Sequence, residues 1–436
     1  MAYSSSMQQV STSMHLLAAA LPLFVCACSG DVVNVGENSA ETSSELAAGA
    51  CPPAGTVVVS NQAEIEALEG CEAIAGDLYV VPFEGADLGP LHALRSIQGA
   101  LRFGAAPGTV DGMAVNRIAE LEAAGWLSSL SGLESLEQVG WLYLAGFSGS
   151  DLTSLSNLRV VTDGSLYITS CSGNLRNLHG LENLAAVDTL YIDCDGLEDL
   201  TGLPLRTSIT SLTIAGGFKG SAPLGVHFVV GDLILRGTDL ESLDAFVGLE
   251  YVGGALIIQD NPVLADASGL SSLTRLRALL IRGNPALQHL PSLSGVERLD
   301  SLVIDGTALL ELPPFSGLSR DPEVDPTQTS EPSGRVGRLQ VSDNSELRRV
   351  DVPAGWRSGA DVTVTRNAAL EQLNLAQLAT VDRLEIDANP LLATVGLEAL
   401  WAAYSLHVRD NPLLAEGAFD AVQSVEREMS GNADNP

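Results

Sequence analysis

A short apolar triplet recurs along most of this chain. Its clearest copies lie in 255–287, where ALIIQDNPVL is followed one repeat later by ALLIRGNPAL. Each copy alternates apolar, variable and apolar residues, so its first and third side chains lie on one face of a strand. The leading residues of the triplets are Leu78, Leu101, Leu142, Leu166, Leu190, Leu212, Leu233, Leu256, Leu279, Leu302, Leu339, Val362, Leu384 and Leu406.

Successive triplets are mostly 21 to 24 residues apart. This short period predicts a solenoid, because so short a segment cannot bury its own apolar face and must stack on copies of itself. First and third residues, such as Leu256 and Ile258, then point into the stack. We therefore expect a right-handed parallel β-solenoid of about 14 coils with few short helices.

A polar residue follows five positions after many of the leading residues. Asn and Thr in turns bond backbone groups, so we expect these side chains to bind the neighbouring coil. They are Thr238, Asn261, Asn284, Thr307, Asn344, Asn367, Asn389 and Asn411. A second apolar step, Gly-Leu-x-x-Leu at 132–136, 180–184 and 269–273, predicts the opposite wall of the stack.

Two intervals are longer than the period. Residues 104–138 include an amphipathic stretch at 115–124 that predicts a helix. We interpret the interval as an insertion or one degenerate coil, with a lid over a binding site as another alternative. Residues 320–337, rich in Pro, Ser, Thr and acid, predict a loop on one unbroken stack or a hinge between two sub-stacks.

The ends of the chain differ from the repeats. The solenoid is expected to span 78–416. Residues 417–436 are expected to close it with a short helix at 417–429 and a polar tail. Residues 29–50, rich in Ser, Ala, Glu and Gly, predict a disordered tether.

Residues 1–28 have the pattern of an export signal, because the apolar run at 16–25 is too short to span a bilayer and small residues follow it. The segment Val25-Cys26-Ala27-Cys28 resembles the lipobox of bacterial lipoproteins, in which a Cys becomes the lipidated first residue. The resemblance implies lipidation of Cys28. Lipidation of Cys26 and an ordinary cleaved signal are the alternatives, and no Lys or Arg precedes the apolar run.

Residues 51–81 read CPPAGTVVVSNQAEIEALEGCEAIAGDLYVV. They resemble the start of a receptor L domain, the leucine-rich-repeat-like ligand-binding module of the insulin and epidermal growth factor receptors. The resemblance implies an N-terminal cap at 51–77 and a Cys51–Cys71 disulfide, with a free thiol pair as the alternative. A helix is predicted at 62–69. A disulfide needs an oxidising compartment, which agrees with export.

Cys171 and Cys194 lie one coil apart, near corners where other coils carry Asn. Adjacent coils lie close enough for a second disulfide, and the alternative is two buried thiols in place of Asn. No His or further Cys stands at ligand spacing, so we predict no metal site.

The second residue of each triplet is expected to face solvent on the long sheet. Receptor L domains bind ligands there, so the resemblance implies a protein or glycan partner at this face. Aromatic and aliphatic side chains in a row also favour a binding patch, although such residues simply suit strands as well. The candidate residues are Tyr143, Tyr167, Tyr191, Ile234, Ile257, Leu280 and Val303.

The net charge and the absence of catalytic motifs disfavour several classes of partner and of enzyme. With 22 basic and 54 acidic residues, the net charge of −32 disfavours nucleic acid and anionic lipid. The chain has no zinc-protease, nucleophile-elbow or phosphate-loop motif, so we predict no catalytic residue, metal or cofactor.

We expect a monomeric, non-enzymatic binding or adhesion protein of the cell envelope, lipid-anchored or alternatively secreted. A structural stalk protein without a dedicated ligand is one alternative function. A polysaccharide-active β-helix enzyme is another, for which Asp305 near Arg282 is the nearest approach to a catalytic pair.

Overall fold

Alternation of apolar and variable residues produces strands, because successive side chains of an extended chain point to opposite faces. The computed structural model describes residues 32–34, 51–52, 54–104, 127–185, 187–203, 208–220, 222–313, 337–352, 356 and 359–433. These residues all belong to one compact unit, Val32–Pro436.

Nearly all regular structure in these residues is β. The strands are β1 (Val32–Asn34), β2 (Thr56–Val59), β3 (Ala73–Ile74), β4 (Asp77–Val80), β5 (Ser96–Phe103), β6 (Gln138–Ala145), β7 (Val160–Val161), β8 (Ser165–Cys171), β9 (Thr189–Cys194), β10 (Ser208–Ile209), β11 (Ser211–Ala215), β12 (Phe228–Val229), β13 (Leu233–Arg236), β14 (Tyr251–Gln259), β15 (Arg275–Asn284), β16 (Ser301–Thr307), β17 (Arg338–Ser342), β18 (Arg349–Asp351), β19 (Ala360–Thr365), β20 (Gln372–Asn374), β21 (Thr380–Asp387), β22 (Thr394–Gly396), β23 (Ala402–Arg409) and β24 (Gln423–Ser430). One short helix, α1 (Gln62–Glu66), and the 3₁₀ segments Gly89–Ala93, Thr153–Leu155, Asp244–Phe246, Ser268–Leu270 and Glu416–Phe419 complete the set.

Each triplet pairs in parallel, residue for residue, with the triplet of the next coil. Leu256 of β14 lies opposite Leu233 of β13 on one side and Leu279 of β15 on the other. The leading residues predicted from the sequence all lie in one ladder that runs from β1 to β24. The predicted parallel β-solenoid of about 14 coils is therefore confirmed.

The core is a continuous column of aliphatic side chains. Leu256 and Ile258, the first and third residues of one triplet, are both 0% exposed. The Gly-Leu-x-x-Leu segments supply a second set of buried residues, among them Leu181 and Leu184. Outside the long ladder, β18, β20 and β22 form a small parallel sheet of their own.

Buried amides line one corner of the stack. Asn367 Oδ1 accepts from the backbone N–H of Asn344 (3.2 Å) and from Asn344 Nδ2 (2.9 Å). Its own Nδ2 donates to the carbonyls of Val341 (3.0 Å) and Thr365 (3.1 Å). Bonds of this kind between adjacent coils agree with the sequence expectation. We call the buried set Thr238, Asn261, Asn284, Thr307, Asn344, Asn367, Asn389 and Asn411 the Asn ladder.

The N-terminal half of the stack has a different corner. Phe147 and Phe218 are buried there, with Cys171 and Cys194 between them. The two cysteines lie opposite each other across β8 and β9 and form a disulfide, with 4.8 Å between their Cα atoms. A covalent bond thus joins two coils that lack the amide bonds of the Asn ladder.

The N-terminal end of the stack has a disulfide and a short helix. Cys51 and Cys71 are bonded, with their Cα atoms 5.1 Å apart. The helix starts at Gln62 as predicted, with Asn61 Oδ1 accepting from the Glu64 N–H (3.1 Å). It ends at Glu66 rather than 69, because the chain tightens into 3₁₀-type bonds that lead to Cys71.

The ladder extends further in both directions than predicted. Val57 of β2, inside the predicted cap, lies opposite Leu78 of β4. β1, inside the predicted tether at 29–50, pairs with β2. The remaining residues of the tether and residues 1–28 lie outside the described residues.

The C-terminal helix predicted at 417–429 is wrong. The chain forms a 3₁₀ turn at Glu416–Phe419 and then the strand β24, so the ladder continues to Ser430 rather than ending at 416. The open edge of β23 offers a row of backbone partners that a helix would leave unpaired. Arg427 lies opposite Leu406, and this polar residue at an inward position helps to terminate the core.

Both long intervals leave the ladder unbroken. Leu101 of β5 lies directly opposite Leu142 of β6, and Leu302 of β16 lies opposite Leu339 of β17. Residues 105–126, with the predicted helix at 115–124, and residues 314–336 lie outside the described residues. The insertion predicted over 104–138 is wrong from residue 127 onward, because the leucines of this part, including Leu133, are buried in the coil that leads into β6.

Candidate binding face

The second residue of each triplet forms a straight column on the outer face of the long sheet. We call it the outward column. From β2 to β24 its members are Val58, Tyr79, Arg102, Tyr143, Tyr167, Tyr191, Thr213, Ile234, Ile257, Leu280, Val303, Gln340, Thr363, Glu385, His407 and Glu428. Neighbouring members lie about 4.8 Å apart along the stack, which is the spacing of strands in a sheet.

Four aromatic side chains form a contact cluster, the aromatic row, near the N-terminal end of this column. The ring centroids of Tyr143 and Tyr167 are 6.1 Å apart, as are those of Tyr167 and Tyr191. Trp141, one residue before the triplet of β6, lies edge-on to Tyr143 at 6.4 Å and to Tyr167 at 6.1 Å. Each aromatic contact is worth about 0.5–1.5 kcal/mol, so the rings hold one another in place.

Arg102 extends the aromatic row toward the N-terminus. Its guanidinium carbon lies 4.7 Å from the ring centroid of Tyr143 and 5.8 Å from that of Tyr79. These distances are within the range of cation–π attraction. The cation is therefore held between two tyrosine rings in the outward column.

Three aliphatic residues continue the column beyond Thr213. Ile234, Ile257 and Leu280 lie opposite one another on β13, β14 and β15, and each is partly exposed. We call them the aliphatic stripe. Val303 was predicted as its fourth member, but it is only 1% exposed. Its side chain lies in register between Leu280 and Gln340.

Charged side chains occupy the column two residues further along each strand, beside both the aromatic row and the aliphatic stripe. Asp193 on β9 is half-buried, and burial raises the pKa of its carboxyl although the nearby Arg236 acts to lower it. Burial also raises the pKa of the Tyr191 phenol, with the Asp193 charge adding to the effect. At neutral pH Tyr191 therefore keeps its proton and remains a hydrogen-bond donor.

The C-terminal half of the same face is charged and internally paired. Glu385 accepts a contact from Arg383 (3.0 Å) and one from Arg409 (3.4 Å). Arg409 also lies 3.6 Å from Asp387 and 3.6 Å from Glu428. Because these side chains are charged and paired with one another, this half offers little that an apolar partner could bury.

Sequence reasoning placed the three tyrosines correctly in one column but missed two contributors. Arg102 occupies the same second position in the triplet of β5, which was the signal that could have found it. Trp141 lies two residues before Tyr143 on β6, so strand alternation places it on the same face, and this was the signal that could have found it. Cys28 lies outside the described residues.

Three features of the described residues bear on the alternative functions. No cluster of three or more His, Cys, Asp or Glu side chains that could hold a metal occurs in that part of the chain. Asp305 and Arg282 lie opposite each other on β16 and β15, but Asp305 also accepts from the Ser342 hydroxyl at 2.8 Å. Within the same residues, no helix is long and apolar enough to cross a membrane.

Comparisons with known proteins give only distant likenesses. No protein-family model matches the chain, and no curated protein matches it either. The resemblance to receptor L domains thus stays a prediction. Among solved structures, an internalin (inlF) from Listeria monocytogenes aligns over 83% of this chain and 88% of its own, at 15% identity and a TM-score of 0.39.

Two further structures show a similar or weaker likeness. The functional domain of InlJ from Listeria monocytogenes, which includes a cysteine ladder, aligns over 80% of this chain and 66% of its own, at 15% identity and a TM-score of 0.38. The plant peptide hormone receptor RGFR1 in complex with RGF2 aligns over 87% and 73%, at 13% identity and a TM-score of 0.20. The fold assignment rests on the strand register alone.

Proposed function

We propose that this chain is a non-enzymatic, extracytoplasmic binding protein that presents the outward column between β4 and β15 to a protein partner. The supporting observation is that the aromatic row and the aliphatic stripe lie in one column of the same sheet, separated only by Thr213. Aromatic and Arg side chains dominate the energetic centres of protein interfaces. This part of the outward column contains no acidic residue, although the chain has 54.

The setting we propose is the outer side of a cell envelope. Two disulfides suit an oxidising compartment, and the lipobox-like segment favours a lipid anchor at Cys28. Metabolic labelling with a fatty acid would test the anchor. We expect Cys28→Ala to abolish the label and Cys26→Ala to keep it, and the reverse would move the anchor to Cys26.

A crosslinking experiment tests the binding face directly. A photoreactive phenylalanine analogue replaces Tyr167 in the producing cell, and the adducts are identified by mass spectrometry. We expect a discrete adduct that is lost when Ile257→Ser is added. The matched control places the same analogue at Tyr404, which is 60% exposed and lies outside the outward column.

The outcomes separate the proposal from its main alternative. Identical adducts from both positions, or none from Tyr167, would favour a structural stalk protein without a dedicated ligand. A purified Tyr167→Ala, Ile257→Ser variant should keep its circular dichroism spectrum and lose about 30-fold or more in partner affinity, since truncating interface hot spots costs at least about 2 kcal/mol.

A further inference from the structure

We infer that Arg102 is the anchor for a carboxylate side chain of the protein partner; this rests on the proposed function and assigns the chemistry of one end of that face. Arg102 lies in the outward column on β5, between Tyr79 and Tyr143. Its side chain is partly exposed, so part of the guanidinium reaches the surface.

The charge of Arg102 is not neutralised within the described residues. Several other arginines there have close carboxylates: Arg366 lies 2.6 Å from Asp343, and Arg349 lies 2.7 Å from Asp351. No such ion pair forms at Arg102 in this part of the chain, and its buried Nε has no hydrogen-bond acceptor. A guanidinium with free donors pairs most strongly with a carboxylate, through two parallel bonds.

The surroundings of Arg102 favour an anion on its open side. The tyrosine rings flank the cation and restrict its movement, so less side-chain freedom is lost when a partner binds. The edges of aromatic rings carry partial positive charge.

The aliphatic stripe favours a protein over an acidic glycan. Five strand spacings separate Arg102 from Ile234, which corresponds to about 24 Å. The gain from covering Ile234, Ile257 and Leu280 requires apolar side chains on the ligand. A protein surface can present a carboxylate and an aliphatic cluster at this separation, whereas a uronic-acid chain repeats its charge and has no aliphatic side chains.

Random dodecapeptides displayed on phage, panned against the purified chain, provide the probe. An extended peptide of this length reaches about 40 Å, enough to cover both ends of the face. We expect selected peptides to carry Asp or Glu separated from aliphatic residues. Binding of a selected synthetic peptide should fall about 10- to 100-fold in Arg102→Gln, the range for losing a charged hydrogen bond.

Three controls make the result specific. Arg102→Lys keeps the charge but loses the planar guanidinium that donates two parallel bonds, so its affinity should lie between those of Arg102→Gln and the parent chain. Arg159→Gln removes the same charge from an exposed arginine outside the outward column and should leave binding unchanged. Added salt should weaken binding to the parent chain more than to Arg102→Gln.

The outcomes distinguish this inference from the proposed function. Peptides that depend on Ile257 but ignore Arg102→Gln would overturn the inference and leave the binding face intact. Uronic-acid oligosaccharides that bind through Arg102 while peptides do not would make the occupant a glycan and also overturn it. If no peptide depends on Tyr167, Ile257 or Arg102, both proposals fail.

Discussion

Removing one amide from the Asn ladder should destabilise the coils around it strongly. In Asn367→Ala, the buried N–H of Asn344 loses its acceptor and the Val341 carbonyl loses the Asn367 amide donor. The Thr365 carbonyl loses the same amide but keeps the Asp343 backbone N–H at 3.1 Å. Each buried group left without a partner costs about 1–3 kcal/mol. Allowing for local relaxation, we expect a loss of about 3–5 kcal/mol, against total stabilities of about 5–15 kcal/mol for typical domains.

The loss should be local before it is global, because each coil of a solenoid contacts only its neighbours. Urea unfolding followed by circular dichroism should show a lower midpoint. Hydrogen exchange with mass spectrometry should show faster exchange in β17, β19 and β21, with β11 to β14 unchanged.

A matched variant tests whether burial is the cause. Asn183 is exposed, and its Nδ2 donates one bond to the Ser156 carbonyl (2.7 Å). Asn183→Ala should therefore cost no more than about 1 kcal/mol. Equal losses in the two variants, or uniform exchange along the ladder in Asn367→Ala, would refute the reasoning.

Three further predictions follow from the backbone, the inter-coil disulfide and the buried carboxyl. Gly180→Ala should lower the free energy of unfolding by roughly 3 kcal/mol or more, because φ is +112° and a Cβ would overlap the Leu152 carbonyl. Gly225 has a φ of +68° but open space around it, so Gly225→Ala should cost only about 1–2 kcal/mol. Replacing Cys171 and Cys194 together by Ala should cost about 2–4 kcal/mol, and reducing agent should remove most of the difference from the parent chain. Burial raises the folded-state pKa of Asp193, so between the unfolded and folded pKa values the native state binds more protons and stability should fall as pH rises. Asp193→Asn should remove this fall and be more stable than the parent chain at neutral pH. An unchanged dependence of stability on pH in this variant would contradict the assignment.

The architecture was largely predictable because it depends on positions that repeat. A leucine every 21 to 24 residues leaves one way to bury a strand, so the sequence alone aligns Leu233, Leu256 and Leu279. The same counting placed the tyrosines in one column. The repeat pattern did not predict the C-terminal strand, because β24 carries Arg427 at an inward position where the pattern expects an aliphatic residue.

The chemistry of the face was less predictable because it depends on side-chain conformation. Period-two alternation says that Val303 points outward, but its burial depends on the sizes of its neighbours. Arg102 occupies the right position, yet its place between two rings follows from rotamers that the sequence does not specify. Trp141 joins the cluster by the same route.

The direct pairing of β16 with β17 has a practical consequence. Their leading leucines are 37 residues apart instead of the usual 23, yet they face each other as any other neighbours do. Pairing of neighbouring coils therefore tolerates a longer interval between residues 313 and 337. We therefore expect that an epitope, a fluorescent protein or a guest domain can be inserted into this stretch without disrupting the coils.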